Sequence, residues 1–102
     1  MAQLQYQKRY QLLAHKSHIN AVAISPNGRR FVTGSDDSMV QVWSTGSAVA
    51  LCQIKAHSPV LSLGWLTNSY GFVFGCKNGL MAYVNVLEVC DYVLTSRPAY
   101  LY

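Results

Sequence analysis

The chain has 102 residues, 51% hydrophobic and only 12% charged, with eight Lys or Arg against four Asp or Glu for a formal net charge of +4. That length holds one small domain and excludes an ordinary two-domain enzyme. The apolar content is too high, and the net charge too low, for a disordered tail. Cys52, Cys76 and Cys90 form neither a CxxC pair nor a dense disulfide framework, so they read as buried small hydrophobes of an intracellular protein, cytoplasmic or nuclear. Residues 1–16 contain no apolar signal-peptide core, and no run of apolar residues is long enough to span a bilayer, so no membrane is expected.

Charge is uneven along the chain. Lys8, Arg9, Lys16, Arg29 and Arg30 concentrate positive charge in the first thirty residues. They are spread over two turns and one strand, which reads as a solvated rim more readily than as a nucleic-acid stripe.

Taken in chain order, the elements are short strands. Residues 9–13 precede His15 as an outer strand. Residues 19–24 are partly alternating and β-branched, and Ser25-Pro26-Asn27-Gly28 stops them, Pro fixing φ and Gly accepting positive φ. Residues 31–34 make a second strand, Asp36-Asp37-Ser38 a tight turn, and residues 39–43 a third strand. In that third strand Val40 and Val42 face away from Met39, Gln41 and Trp43. Gly46 lies in the next interruption, and residues 49–54 close the unit. The order then repeats: residues 60–65, a turn at Thr67-Asn68-Ser69, residues 71–75, a turn at Lys77-Asn78-Gly79, residues 80–84, and a fourth strand near 90–94. No window has a helical period.

The second set is a copy of the first. At an offset of 41, Ile19, Val22 and Ile24 fall on Val60, Leu63 and Trp65, and Asn27 falls on Asn68. Phe31, Val32 and Gly34 fall on Phe72, Val73 and Gly75, while Val42 falls on Tyr83. A period of this length marks a repeat architecture.

The stretch from His15 to Trp43, with Ser25-Pro26-Asn27-Gly28, Phe31, Gly34-Ser35-Asp36-Asp37 and the closing Val42-Trp43, resembles the WD40 repeat family of β-propellers. The resemblance runs from about Arg9 to Leu94. It implies an all-β fold of WD40-like propeller blades, each of four antiparallel strands. Residues 9–13 would be the outer strand of a preceding blade, 15–54 the first blade, 57–95 a second, degenerate blade and 96–102 a tail. It further implies a structural hydrogen-bond set of His15, Thr33, Asp37 and Trp43, which locks the loop before the first strand onto the sheet. The degenerate counterpart is His57, Phe74, Asn78 and Val84, in which most of those partners are missing. Ser44 replaces the family's aspartate after the tryptophan, and Ala14 and Ala56 replace the glycine before each histidine.

A histidine beside an acid and a hydroxyl invites comparison with a catalytic triad, but the chain has no GxSxG and no serine at a nucleophile elbow. His15 and His18 are three apart in a loop, and Cys76 and Cys90 have no partner spacing, so no metal is expected. Gly75 to Gly79 matches neither phosphate-binding fingerprint, and no cofactor follows. The expectation is a non-catalytic scaffold.

Two blades cannot close a ring that needs four to eight. The chain is therefore expected to be a segment or subunit of a larger propeller whose partners are other proteins or further blades. A contact surface is expected at Lys16, Ser17, Asp36, Lys55 and Ser58. The alternative is a nucleic-acid-contacting subunit of a ribonucleoprotein, resting on charge and on Tyr6, Tyr10, Tyr92, Tyr100 and Tyr102 near the basic ends.

Overall fold

Seven short strands account for nearly all the regular structure of the computed structural model, which describes residues 14–87. They are β1 (Ile19–Ile24), β2 (Arg30–Ser35), β3 (Met39–Ser44), β4 (Ala50–Lys55), β5 (Val60–Trp65), β6 (Gly71–Cys76) and β7 (Met81–Asn85). They form two antiparallel sheets, one in the order β1-β2-β3-β4 and the other β5-β6-β7. The architecture is all-β, and the two sheets are not closed into a ring. The strands expected at 9–13 and 90–94, and the tail at 96–102, lie outside the described residues.

Four hairpins share one device. In each, the N–H of the fourth turn residue bonds the carbonyl of the first: Gly28 to Ser25, Ser38 to Ser35, Ser69 to Leu66 and Gly79 to Cys76, at 2.8–3.2 Å. The donor residue has positive φ in every case, from 64° at Ser69 to 93° at Gly79. The residue before it is always Asn or Asp, and its side-chain oxygen accepts the N–H two residues on, from Arg29, Met39, Tyr70 and Leu80. This is the Asx turn that such side chains favour, followed by the left-handed residue that restores antiparallel pairing.

The register repeats as well. Ile24 pairs with Phe31 and Phe31 with Trp43; Trp65 pairs with Phe72 and Phe72 with Val84. Matching register shifts lie between Ile19 and Ala21 and between Val60 and Ser62. β2 begins one residue earlier than expected, β2, β3, β4, β6 and β7 each end one residue later, and two strands begin one residue later. β4 begins at Ala50 because Ala48, at φ 56°, closes a turn back to Ser44, and β7 begins at Met81 because Asn78 holds the Leu80 N–H.

Directly opposed residues point to the same side of a sheet, so the register assigns the faces. Ala21, Ala23, Val32, Gly34, Val40, Val42, Cys52 and Ile54 share one face of the first sheet. The second sheet answers with Leu63, Trp65, Phe72, Phe74, Ala82 and Val84, and these six pack with Ala23, Val32, Val40, Val42, Cys52 and Ile54 into one hydrophobic core. The first face is small where the second is large. A Cβ at Gly34 would stand 2.5 Å from Val60 Cγ1 and 3.4 Å from Leu63 Cδ1, so a bare backbone is what lets β5 lie against the first sheet. Polar bonds cross the same seam: Asn20 Nδ2 donates to the Val60 carbonyl at 2.9 Å, Trp65 Nε1 to the Ala23 carbonyl at 3.0 Å, and the Asn27 N–H to Ser69 Oγ at 3.0 Å.

Candidate functional site

The structure brings His15, Thr33, Asp37 and Trp43 together on the face of the first sheet that points away from the second. Thr33 stands in β2, Trp43 in β3, Asp37 in the turn between them, and His15 in the segment leading into β1. His15 Nδ1 lies 3.1 and 3.0 Å from the two Asp37 oxygens, and Nε2 lies 2.6 Å from Thr33 Oγ1. Trp43 Nε1 donates to that same Oγ1 at 3.2 Å. The indole N–H donates to Thr33 Oγ1, which keeps its own hydroxyl proton to share with Nε2, while the Asp37 carboxylate accepts from Nδ1–H.

Asp37 anchors the loop through more than the imidazole. Oδ2 accepts the Lys16 N–H and Oδ1 the Met39 N–H, both at 2.9 Å. Burial raises its pKa, but the Lys16 and Met39 N–H groups, with His15, outweigh burial and hold the carboxyl below the ordinary aspartate value. Ser35 Oγ accepts the Asp37 N–H at 3.0 Å and donates to the Ser17 carbonyl at 3.3 Å, a brace the sequence pattern did not single out. The Trp43 indole stacks on Phe31 at 5.8 Å with the rings 5° from parallel.

This geometry is that of a locked loop. The His15 side chain is 0% exposed, Thr33 is buried, and the oxygen a nucleophile would need already accepts the indole N–H. A cavity of about 630 Å³ opens alongside, lined by His15, Lys16, Asp37, Met39, Gln53 and Lys55 among others, but Thr33 is not on its wall. Among the described residues no group of three or more His, Cys, Asp or Glu is placed to hold a metal ion. Cys76 is buried, and burial pushes its thiol pKa up, away from the reactive thiolate.

The counterpart in the second sheet is not assembled. His57 is exposed, with φ 63°. Phe74 and Val84, at the positions of Thr33 and Trp43, are buried in the apolar core. The Asn78 side chain accepts the Leu80 N–H of its own turn, while its backbone N–H donates to Ser58 Oγ in the loop beside His57. The second histidine loop is therefore held by packing, by the Lys77 N–H on the Pro59 carbonyl and by the Ser58 hydroxyl.

Of the expected contact residues, Lys16, Ser17, Asp36 and Lys55 are exposed at one end of the sheets. Ser58 is a correction. It is buried, because its hydroxyl is drawn inward to accept the Asn78 N–H at 3.2 Å. The bonds of Asn20, Trp65 and Ser69 across the seam also went unread, since they depend on how the sheets stack and leave no spacing signal.

Comparison with known proteins completes the picture. Residues 6–44 match the family model described as WD domain, G-beta repeat. Over 90 residues the chain is 39% identical to "Ribosome biogenesis protein BOP1 homolog" of Aedes aegypti, covering 85% of this chain and 10% of that protein. The protein of the same name in Dictyostelium discoideum is 34% identical over 58 residues, or 57% of this chain and 7% of that one. "WD repeat-containing protein 86" of Homo sapiens is 29% identical over 58 residues, covering 57% and 15% respectively. The chain thus spans about a tenth or less of the ribosome-biogenesis relatives. Among solved structures, the computationally designed Ika4 protein superposes with a TM-score of 0.70 at 25% identity, over 80% of this chain and 49% of that one.

Proposed function

The chain belongs to the WD40 repeat family, and from that premise we propose that it is a non-catalytic protein-interaction module. In this reading residues 15–54 and 57–95 are two blades of a larger propeller, and further blades or partner proteins complete it. One observation carries the reading: each outward sheet face repeats one side of the buried seam. Val22 and Ile24, 61% and 64% exposed, occupy the places that Leu63 and Trp65 hold against the first sheet. On the second sheet's outer face, Ser62, Gly64, Val73 and Gly75 stand where Ala21, Ala23, Val32 and Gly34 receive β5. Exposed apolar sheet faces of this kind mark association surfaces.

Relatives named for ribosome biogenesis support an intracellular setting, with the chain in an assembly that serves that process. The second reading is a nucleic-acid-contacting subunit of a ribonucleoprotein, resting on the formal net charge of +4 and the seven tyrosines. Among the described residues no helix is long and apolar enough to cross a membrane.

The test is the native mass of the complex isolated on the chain, before and after ribonuclease. The proposal expects a protein complex that survives ribonuclease and is lost on Val22→Asp with Ile24→Asp, whose exposed side chains leave the interior intact. A complex that collapses with ribonuclease supports the second reading, and one indifferent to the double substitution contradicts the first.

A further inference from the structure

At the end of the molecule opposite His15, the β1–β2, β3–β4 and β5–β6 turns gather around a cleft of about 470 Å³. Its polar wall is Asn27, Arg29, Arg30, Ser44 and Tyr70, and Leu51 and Leu87 close the remaining sides. The wall is rigid. The Thr45 N–H donates to the Arg29 carbonyl at 3.1 Å and Thr45 Oγ1 to the Gly28 carbonyl at 2.6 Å. Asn27 is tied to Ser69 across the seam, and the Val86 N–H bonds the Tyr70 carbonyl at 2.8 Å. Asn27 Oδ1 already accepts the Ser25 hydroxyl and the Arg29 N–H, which leaves the amide NH₂ as the half that can donate outward.

The cleft is rich in donors and short of acceptors. Arg30 is half-buried, and its Nε is shielded from water with no hydrogen-bond partner. Both described acids, Asp36 and Asp37, are at the far end, engaged with Asn20 and His15. A shielded, unbonded guanidinium N–H is costly to leave so, and a carboxylate is the group whose planar pair of oxygens matches a guanidinium fork.

We propose that this cleft binds an acidic segment of a protein partner, seating a carboxylate against Arg30 and Arg29 and an adjoining apolar side chain between Leu51 and Leu87. The inference rests on the reading of the chain as a protein-interaction module. Protein is favoured over nucleic acid because the other described cations, Lys16, Lys55 and Lys77, lie at the opposite end. Two arginines beside a leucine-lined wall offer one anion site, whereas a nucleic acid needs a track of phosphate contacts.

The test is fluorescence anisotropy of a labelled hexapeptide of alternating Glu and Leu, titrated with the full chain, beside the corresponding Gln and Leu peptide and a hexauridylate. The proposal expects saturable binding of the acidic peptide alone. Arg30→Lys, which keeps the charge but loses the fork, should weaken it at least fivefold. Arg29→Gln with Arg30→Gln should abolish it, and Lys77→Gln, at an exposed turn at the other end, should leave it unchanged. Equal binding of the Gln peptide, hexauridylate binding in place of peptide, or indifference to Arg30→Lys overturns the inference. A chain that assembles through its sheet faces yet ignores the acidic peptide defeats this inference alone. A chain that binds the peptide but never associates defeats the interaction-module reading alone.

Discussion

Thr33→Val changes almost nothing in shape and removes the central link of the hydrogen-bonded set. Two bonds vanish, the 2.6 Å contact with His15 and the 3.2 Å contact with Trp43, and two buried polar atoms, an indole N–H and an imidazole nitrogen, are left without partners. A typical bond contributes about 1 kcal/mol net, and each orphaned group adds a penalty of about 1–3 kcal/mol, which partial relaxation reduces. The expected loss is about 2–4 kcal/mol, large for one exchange of a hydroxyl for a methyl. Urea unfolding followed by circular dichroism, at one fixed chain concentration because association is linked to folding, reads this as a lower midpoint at unchanged slope. The double-mutant cycle with Trp43→Phe isolates the link. Once the indole donor is gone, Thr33→Val orphans only the imidazole, so the two losses should fall short of additivity by about 1 kcal/mol. A Thr33→Val chain within about 0.5 kcal/mol of the parent, or strict additivity, would refute the argument.

Three further outcomes follow from the same geometry. Asp37 is held below its ordinary pKa, so its contribution to stability is full above the unfolded value near 3.9 and is lost as pH falls through the lower folded value. Acid unfolding midpoints should therefore shift between the parent and Asp37→Asn, and parallel acid profiles would contradict the anchor. Gly34→Ala places a methyl 2.5 Å from Val60 Cγ1 and should destabilise the chain by about 1–3 kcal/mol in urea, whereas Gly46→Ala, with open space around its Cβ, should be neutral. Ser38 holds φ 68° in a turn whose counterpart in the second sheet carries glycine, so Ser38→Gly should raise the thermal midpoint, by about 1 kcal/mol of stability.

The period of 41 made most of the fold readable. Ile19 to Trp43 and Val60 to Val84 share register, turn type and strand shift because each hairpin depends on a local Asn or Asp followed by a left-handed residue, and local chemistry is visible in sequence. The grouping of His15, Thr33, Asp37 and Trp43 was legible only through resemblance, since no spacing rule places a histidine 22 residues away beside Asp37. What stayed hidden is set by stacking. Gly34 looks like any strand glycine until Val60 is seen against it. Ser58 looked like a surface residue because its turn is polar, yet its hydroxyl turns inward to Asn78. Trp65 falls at the position of Ile24, so nothing along the chain announces that its indole reaches across the seam to Ala23.

The outward faces that display Val22 and Ile24 on one sheet and Gly64 and Gly75 on the other are the surfaces through which the chain is expected to associate. Light scattering on the eluting 102-residue chain measures their consequence directly. Species well above 11.3 kDa that shrink on Val22→Asp with Ile24→Asp are the predicted result, and a stable monomer of 11.3 kDa across concentrations would contradict it.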